Sequence, residues 1–441
     1  MEETHDDSEG IAYAGRYRPV RRMPVIYQNR VSVVGDKSAF MICALEQAFA
    51  AMGCTSPNPA VGAVIVMNGT VAATGKTSAC GGDHAEVTAI KKAPGTLQGA
   101  EMFVSLEPCC HYGKTPPCTE AIIRAGIKRV YIPLLDPNPM VAGKGVLALK
   151  NAGVDVVIMN EFASQAVDLI RPFRKFILRK RPFIIQKLAV TLDGRTATKS
   201  GDSRWISSDC SRYIVHRLRA IADAVIIGKN TLVADNPSLN VRLEEFPDTV
   251  KCYFRETNMG IAGYDNYFLK KLLGGDAVVN RDMPLRIVIG LPDKIDSGAN
   301  FYRSDDYIFF VDENTHAAMK RREDHDLIQE MEKQNKIVFI GGDTRVARVH
   351  AIQEELYTRG IMMALLEGGS AISGSFFDAG EIDQYLYFIA PKIIGRGTPA
   401  IDGNGISAMQ DSVRLKDVST VMIQEDLLYS GYREPYNFEM M

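Results

Sequence analysis

The feature that most constrains the fold of this chain is a set of three potential metal ligands, His84, Cys109 and Cys118, with a carboxylate, Glu86, two residues after the histidine. One ion can bind all three side chains only if these separate segments meet. A structural zinc ion is normally closed by four protein groups, whereas a catalytic one keeps a position for water and lowers the pKa of that water to about 7. Three ligands leave one position open, so the pattern predicts hydrolytic chemistry at a zinc ion.

The position of Glu86 predicts a role distinct from metal binding. Glu86 falls in the first turn of a helix predicted at 85–93, where its carboxylate can face the bound water and transfer protons. This division of labour is that of zinc-dependent deaminases. Cys109 is expected where a strand gives way to a helix, whose positive N-terminal end would favour the thiolate, and Cys118 is expected to open the next helix.

The spacing of the two thiols differs from the general deaminase signature. That signature has two residues between its cysteines, but eight residues separate Cys109 from Cys118 here. The difference weakens a prediction of cytidine or nucleic-acid deamination. Two alternatives to a catalytic zinc remain open: a closed zinc with Cys110 or His111 as fourth ligand, and a chance cluster without metal.

Composition limits the class of protein. The 441 residues are 46% hydrophobic and 24% charged, which is typical of a globular protein with two or three domains, and we expect two. The formal net charge of −2 provides no general basic field for a nucleic-acid backbone, so nucleic acid is not an expected partner. Eight scattered cysteines do not form a disulfide framework. Five of them are predicted to be small buried hydrophobic residues in a reducing cytoplasm: Cys43, Cys54, Cys80, Cys210 and Cys252.

The N-terminal residues carry no signal for export. No apolar run approaches the ~18 residues of a membrane span, and Glu2, Glu3, Asp6 and Asp7 stand where a secretory signal would carry positive charge. Neither export nor membrane insertion is therefore expected. Residues 1–36 are acidic and then arginine-rich, and we predict a flexible extension; a binding arm is the alternative.

Helical and strand periodicities alternate along the chain, which predicts helices layered on β-sheets. The metal residues fall where strands end and helices begin, and open α/β sheets build ligand sites there. An Asn68-Gly69 pair predicts a hairpin turn. In the first half, helices are predicted at 38–52, 85–93, 119–125 and 146–152, and strands at 60–67, 70–74, 102–106, 129–133 and 154–159.

A domain boundary is predicted after a helix at 161–180, giving domains at 37–180 and 181–441. Residues 244–283 lack a clear period and are predicted to be an insertion without core elements. The helix at 161–180 ends in a basic run (Arg171, Arg174, Lys175, Arg179, Lys180, Arg181), expected to be a solvated face, with phosphate binding as the alternative. Second-half strands are predicted at 183–190, 224–228, 285–290, 307–311, 336–340 and 362–366, alternating with helices, so the second domain is also α/β.

A glycine turn in the second domain is a candidate phosphate site. Leu366-Glu367-Gly368-Gly369-Ser370 leads from an apolar strand into a helix predicted at 371–377, and free N–H groups at such a turn suit a phosphate. A tight turn without a ligand is the alternative. Two further residues stand out: Trp205 is the only tryptophan, and Lys187 lies in an otherwise apolar strand. Each could simply pack in the core. Alternatively, both could serve a reductase, in which an apolar side chain covers one face of a nicotinamide.

Motifs in both halves point to one family. The first half has Thr55-Ser56-Pro57-Asn58-Pro59-Ala60-Val61-Gly62-Ala63-Val64, His84-Ala85-Glu86-Val87, Leu106-Glu107-Pro108-Cys109, Thr115-Pro116-Pro117-Cys118 and Asp136-Pro137-Asn138-Pro139. The second half has Lys187-Leu188-Ala189, Leu192-Asp193-Gly194-Arg195, Ser203-Arg204-Trp205-Ile206, Asp235-Asn236-Pro237-Ser238-Leu239 and Glu367-Gly368-Gly369. Over residues 38–397, except 244–283, the chain resembles the bifunctional diaminohydroxyphosphoribosylaminopyrimidine deaminase / 5-amino-6-(5-phosphoribosylamino)uracil reductase of bacterial riboflavin biosynthesis.

The resemblance implies a fold and two consecutive reactions. A cytidine-deaminase-like three-layer α/β/α domain would precede a dihydrofolate-reductase-like α/β domain, in a cytoplasmic homo-oligomer. The substrate would be a small molecule, a phosphoribosylamino pyrimidine. One zinc ion per deaminase domain would activate water, Glu86 would transfer protons, and Asn58 would hydrogen-bond the ring. NADPH would then reduce the ribosyl chain to ribityl.

The resemblance also assigns the reductase residues, one by one. Arg219 and Arg242 would bind the substrate phosphate, because a guanidinium forms two aligned hydrogen bonds with an oxyanion. The other implied substrate contacts are Lys187, Ser203, Leu239 and Glu367. The implied cofactor contacts are Ala189, Trp205, Thr231, Asp235, Gly369, Ser370, Ala371, Ile372, Ser373, Gly374 and Ser375.

Two departures from the family pattern affect the first site. Many members have a histidine a few residues before the His-Ala-Glu motif, where this chain has Lys76-Thr77-Ser78-Ala79-Cys80, and Lys114 stands where arginine is frequent.

Two other functions remain open from the residues alone. One is a nucleobase or tRNA deaminase with an unrelated second domain, and the other is a zinc-stabilised interaction protein without catalysis.

Overall fold

The computed structural model describes residues 36–257, 259–274 and 283–435. Of the predicted N-terminal extension, 1–36, only Asp36 lies within these ranges. Its side chain accepts a hydrogen bond from the Ser38 N–H (2.9 Å) and caps the first helix. Within the described ranges no helix combines the length and apolarity that a membrane crossing needs.

The first half forms a five-stranded sheet with helices on both faces. Strand order is β2-β1-β3-β4-β5; β1 is antiparallel to both neighbours, and β3, β4 and β5 are parallel. These elements lie within a few residues of the predicted ones. They are α1 (Lys37–Ala51), β1 (Gly62–Met67), β2 (Thr70–Lys76), α2 (Ala85–Lys92), β3 (Glu101–Val104), α3 (Cys118–Arg124), β4 (Arg129–Ile132), α4 (Lys144–Asn151), β5 (Asp155–Ile158) and α5 (Ala163–Arg179).

Local sequence explains how this sheet is covered. Asn68 (φ 50°) and Gly69 (φ 74°) both adopt the left-handed conformation of a tight hairpin turn, as predicted. Gly62 of β1 lies against α1, where an added Cβ would be 2.6 Å from the Ala48 nitrogen. Gly75 of β2 lies against α2 on the opposite face. The two glycines therefore allow a helix to pack directly on each face.

Gly75→Ala should lower the free energy of unfolding by about 1–3 kcal/mol, since overpacking forces backbone shifts. The new Cβ would meet the Ala85 carbonyl oxygen and lie 2.6 Å from the Ala89 nitrogen, so α2 would have to move. Chemical denaturation of the full chain measures the change. Gly260→Ala is the matched control, because its Cβ would meet nothing within 4 Å. Equal stability of the two variants would contradict the prediction.

The second half forms a ten-stranded sheet of order β12-β11-β10-β8-β13-β6-β14-β17-β16-β9. The first seven strands in this order, β12 through β14, are parallel to one another. The remaining three, β17, β16 and β9, each pair antiparallel with the strand before them. β15 pairs with β7 in a separate ladder. The strands are β6 (Phe183–Thr191), β7 (Arg195–Thr198), β8 (Ala224–Gly228), β9 (Ala262–Gly263), β10 (Leu285–Ile289), β11 (Tyr307–Asp312), β12 (Ile337–Ile340), β13 (Met363–Leu366), β14 (Gln384–Ala390), β15 (Gly397–Pro399), β16 (Lys416–Ile423) and β17 (Asp426–Tyr432).

Helices connect and cover these strands. The predicted helix after the glycine turn is present and begins at Ser370. The helices of the second half are α6 (Asp209–Ile221), α7 (Lys229–Asp235), α8 (Asp248–Glu256), α9 (Tyr267–Leu273), α10 (His316–Met319), α11 (His325–Lys333), α12 (Arg345–Thr358) and α13 (Ser370–Asp378).

The prediction that 244–283 contributes no core element is wrong. Among its described residues are α8, β9 and α9, and α9 buries Phe268 and Leu269 in the main hydrophobic core. Phe268 packs against Phe49 of α1 with ring centroids 6.3 Å apart, and Lys271 forms an ion pair with Glu46 of α1 (2.6 Å). This segment therefore joins the two halves.

The basic run that begins in α5 and ends at Arg181 is ion-paired with residues of the second half. Arg171 is 7% exposed and binds Asp417 (2.7 Å), Lys175 binds Asp383 (2.8 Å), and Arg181 pairs with Glu381. The expectation of a fully solvated helix face is wrong for these cations, although Arg179 and Lys180 are exposed. These ion pairs fix α5 against the second sheet.

All eight cysteines lie within the described residues and are free thiols, so the expectation against a disulfide framework agrees with the structure. The prediction that five of them are buried holds only for Cys210. Cys43 and Cys252 lie within α1 and α8, Cys54 and Cys80 lie in loops, and all four are half-buried instead.

Candidate active sites

The three predicted zinc ligands meet at one point in the first domain. His84 caps the N-terminus of α2, Cys118 is the first residue of α3, and Cys109 lies in the loop after β3. The His84 Nδ1 atom is 3.5 Å from Cys109 Sγ and 3.3 Å from Cys118 Sγ. Tetrahedral zinc with ordinary Zn–N and Zn–S bonds places such ligand atoms ~3.6 Å apart. The geometry therefore fits zinc.

Among the described residues, His84, Cys109 and Cys118 are the group whose ligand atoms converge, all within 4.8 Å of one another. Cys110 and His111 do not join this group. The arrangement favours an open, catalytic coordination over the closed alternative.

The local reason for the Cys109 thiolate differs from the prediction, because no helix begins at Cys109. Instead, the N-terminal N–H of α3, from Cys118, donates to Cys109 Sγ (3.3 Å). Hydrogen bonds from the Cys118 thiol and His84 lower the pKa of Cys109 to about 4, against the effect of burial. A thiol stabilised as thiolate is a ready ligand for zinc.

Glu86 is buried beside the ligands without joining them. It occupies the first turn of α2, as predicted, and is 3% exposed. Burial, with the negative charge of Cys109, raises the pKa of Glu86 to about 7. A carboxyl group with that pKa can both accept and return a proton near neutral pH.

A cavity of about 300 Å³ opens onto His84, Glu86 and Cys109. Asn58 lies in its wall, as the family resemblance implied. Lys114 and Cys80 both line it, with Lys114 Nζ 3.4 Å from Cys80 Sγ, so the two departures from the family pattern adjoin each other.

Asp136 and Asn138 also line this cavity, although no role was predicted for either residue. Burial raises the pKa of Asp136 to about 7. The Asp-Pro-Asn-Pro motif was the available signal. Glu107 holds this segment in place, because its carboxylate accepts hydrogen bonds from the N–H groups of Asp136 (3.0 Å), Gly143 (2.9 Å) and Val146 (3.0 Å).

His84→Ala should reduce bound zinc from one ion per chain to near zero, because it removes one of three ligands. Metal analysis of the purified protein measures the loss. His111→Ala is the control, since His111 lines the same cavity outside the ligand group. Loss of zinc from the His111 variant instead would favour the closed site.

The second candidate site lies at the carboxyl ends of β6 and β13. Lys187 and Ala189 are the partly exposed positions of β6, whose other residues are buried. Burial lowers the pKa of Lys187, although nearby Glu367 opposes this effect. Glu367 follows β13 directly beside this part of β6. The structure thus brings these three predicted residues together.

Arg219 forms a two-point ion pair with a carboxylate. Its Nε and Nη2 atoms donate to the two carboxylate oxygens of Glu367 (2.6 and 2.8 Å). Burial raises the pKa of Glu367, but the Arg219 pair outweighs it and holds the pKa below its usual value. Arg242 is more exposed and pairs with Glu245 (3.1 Å), so Arg242 fits the predicted phosphate role better.

The glycine turn lies beside Thr231. The Gly369 N–H donates to Thr231 Oγ1 (3.1 Å), and Gly369 caps α13. Ser370, Ala371, Ile372 and Ser375 are at least partly exposed, whereas Ser373 and Gly374 are buried. A Cβ on Gly374 would meet the Asp402 carbonyl oxygen, so that glycine is required by packing.

Trp205 is exposed and stacks with an arginine. It is 62% exposed, and the Arg212 guanidinium lies 4.2 Å from its ring centre on one side. The neighbouring Arg204 donates to the Asp235 carbonyl oxygen (3.2 Å), which joins two more predicted segments. Ser203 is half-buried, and Leu239 is buried with a left-handed backbone (φ 55°), an unusual conformation for leucine.

Family models match both halves of the chain. Residues 35–134 match the cytidine and deoxycytidylate deaminase zinc-binding region, and residues 182–429 match the RibD C-terminal domain. With the α/β/α layers, the zinc ligands and the ten-stranded sheet, these matches define a bifunctional enzyme in which a zinc-dependent deaminase is joined to a reductase.

Sequence similarity to known proteins extends over nearly the whole chain. It is 34% identical to riboflavin biosynthesis protein RibD of Aquifex aeolicus over 393 residues, 89% of this chain and 97% of the relative. The RibD of Bacillus amyloliquefaciens is 34% identical over 399 residues, 88% of this chain and 94% of that protein. The chain therefore belongs to the RibD family, the bifunctional deaminases and reductases of riboflavin biosynthesis, which use zinc and NADPH.

Solved structures agree with this family. Acinetobacter baumannii RibD superposes with a TM-score of 0.70 at 29% identity, covering 89% of this chain and 98% of that one. A diaminohydroxyphosphoribosylaminopyrimidine deaminase/5-amino-6-(5-phosphoribosylamino)uracil reductase from Thermotoga maritima gives 0.69 at 30% identity, with 89% and 97% covered. The predicted fold class and bifunctional activity are confirmed, and an unrelated second domain or a non-catalytic zinc protein is excluded.

Proposed function

We propose that this chain deaminates 2,5-diamino-6-(5-phosphoribosylamino)pyrimidin-4(3H)-one and then reduces the ribosyl chain of 5-amino-6-(5-phosphoribosylamino)uracil to ribityl. The convergence of His84, Cys109 and Cys118 beside buried Glu86 is the observation that carries the first step. Residues 37–180 serve deamination and residues 181–441 serve reduction. A cytoplasmic homo-oligomer is part of the proposal.

In the first step, Glu86 acts as the general acid and base. His84, Cys109 and Cys118 would hold a zinc ion, which would supply hydroxide at neutral pH. Glu86 takes a proton from the water whose oxygen adds to the amino-bearing ring carbon, and it delivers that proton to the amino group, which leaves as ammonia. Its pKa of about 7 suits both transfers. Asn58 in the cavity wall hydrogen-bonds the pyrimidine and fixes its orientation.

In the second step, the cleft around β6 orients the sugar. NADPH supplies the hydride when bound. Thr231, Asp235 and the exposed residues of the glycine turn would contact the cofactor, and Trp205 and Ala189 would flank it. Lys187 Nζ binds the ribose, stabilises the negative charge that develops on its ring oxygen as the ring opens, and supplies the proton that turns this oxygen into a hydroxyl group. Arg242 binds the phosphate.

A coupled assay tests the proposal on the purified full chain. The diaminopyrimidine substrate should release ammonia, and NADPH oxidation should follow. Pre-treatment with a chelator should abolish ammonia release, while NADPH oxidation with the uracil intermediate supplied directly should persist. Absence of both activities from zinc-loaded protein, or deamination of cytidine alone, would overturn the proposed substrate.

A further inference from the structure

One wall of the deaminase cavity rests on a residue of the reductase half. Pro57, Asn58 and Pro59 line the cavity, and the preceding Ser56 turns away from it. The Ser56 hydroxyl donates a hydrogen bond to Asp223 Oδ2 (2.7 Å). Asp223 lies immediately before β8 in the middle of the ten-stranded sheet. The substrate-binding segment 55–59 is therefore connected directly to the second domain.

Asp223 is itself held rigidly. Its Oδ2 atom also accepts the N–H groups of Met362 (2.9 Å) and Met363 (3.0 Å) at the start of β13, and its side chain is buried, with 2% of the residue exposed. Its backbone N–H donates to the Met363 carbonyl oxygen (2.9 Å). Ser56 is thus anchored to a fixed point.

A second part of the cavity lining reaches the same point. Phe173 and Phe176 of α5 line the cavity and form a small hydrophobic cluster with Met362, whose N–H binds Asp223. Phe176 also packs on Tyr357 of α12 with ring centroids 4.6 Å apart. The start of β13 consequently supports two walls of a site that belongs to the other domain.

Close packing surrounds the Ser56 bond. A Cβ on Gly53 would lie 2.7 Å from the Ile221 Cα at the end of α6, so the chain just before the segment touches the second domain without a gap. The Asn58 N–H donates to the Thr55 carbonyl oxygen (2.9 Å), which closes a turn around Ser56. A shift of Ser56 would therefore be transmitted to Asn58.

We propose that Asp223 is a positioning residue for deamination, which acts across the domain boundary through Ser56 to hold Asn58 against the pyrimidine ring. The inference rests on the proposed role of Asn58 in substrate binding. The hydrogen bonds that Asp223 Oδ2 accepts from Met362 and Met363 serve the reductase sheet, whereas its bond with Ser56 serves the deaminase segment. Binding lost equally from substrate and transition state raises KM and leaves kcat unchanged.

Ser56→Ala in the full chain tests the proposal, because Asp223 keeps both backbone donors in that variant. We expect the deaminase KM to rise about tenfold, equivalent to ~1.4 kcal/mol, with kcat within about twofold. Zinc content and NADPH oxidation of supplied uracil intermediate should stay unchanged. Ser56→Thr, which retains the hydroxyl, should restore KM. An unchanged KM in Ser56→Ala, or an equal loss of zinc or reductase activity, would overturn the proposal.

A double-mutant cycle supplies the second measurement. Asp223→Ala removes the acceptor of the Ser56 hydroxyl and should also raise the deaminase KM, and adding Ser56→Ala to it should cause little further change, because the bond is already absent. Additive effects would refute the coupling. Should Asp223→Ala fail to fold, Ser56→Ala and Ser56→Thr decide alone. Failure of the unmodified chain to release ammonia would instead refute the proposed function, which keeps the two conclusions separate.

Discussion

Glu86→Gln should leave zinc bound and lower the deamination rate by about 10²–10⁴-fold, the usual contribution of a general acid–base group. Glutamine matches the shape of the side chain but cannot carry the proton. Glu86 is buried beside the three ligands and outside their group, so the substitution removes no metal contact. Ammonia release under saturating substrate measures the effect, and metal analysis checks the zinc.

The control for this experiment is Glu120→Gln, which makes the same change at a half-buried position of α3 paired with Arg124. Its deamination rate should match that of the unmodified chain. NADPH oxidation with supplied uracil intermediate should be normal in both variants. Deamination that survives Glu86→Gln would show that another group transfers the protons, and the buried Asp136 would be the next residue to test.

Lys187→Ala should lower kcat/KM of the reductase by about 10²–10³-fold while deamination stays normal, as expected for loss of one pre-positioned electrostatic group. Lys187 is the charged residue of β6 and lies next to Glu367, which is already paired with Arg219. Its removal leaves the sugar without that contact. The rate of NADPH oxidation measures the effect.

Lys333→Ala controls for the loss of a positive charge, because Lys333 ends α11 with its side chain 74% exposed. Reductase activity should be unaffected there. Joint loss of deamination and reduction in Lys187→Ala would contradict the assignment of separate sites, and unfolding measurements would then be needed on the same variant.

The zinc site was predictable because its chemistry depends on residue type. Residue type and spacing alone predict the roles of His84, Cys109, Cys118 and Glu86. The strand and helix ends that bring these residues together follow from hydrophobic periodicity. The Asn68-Gly69 turn was predictable for a similar reason, since both of its residues tolerate positive φ. Local rules were sufficient for these features.

Other features depend on partners far along the chain. Residues 244–283 look irregular, yet α9 is buried because Phe49 and Glu46 of α1 stand opposite it. Arg219 was predicted to bind the substrate phosphate, and its ion pair with Glu367 could not be read from the sequence. Strands β14, β16 and β17 were not predicted. In these cases tertiary contacts decide the outcome, and a single sequence contains no direct record of them.

The order of strands in the large sheet has a consequence during synthesis. β6 leaves the ribosome early, but both of its neighbours, β13 and β14, are made from residues 363–366 and 384–390. The five strands of the first sheet, by contrast, are all complete by Ile158. A nascent chain should therefore carry a folded first domain while β6 still has two open edges, which are prone to aggregate. Premature termination before β13 should accordingly yield an insoluble product even though its zinc ligands are all present.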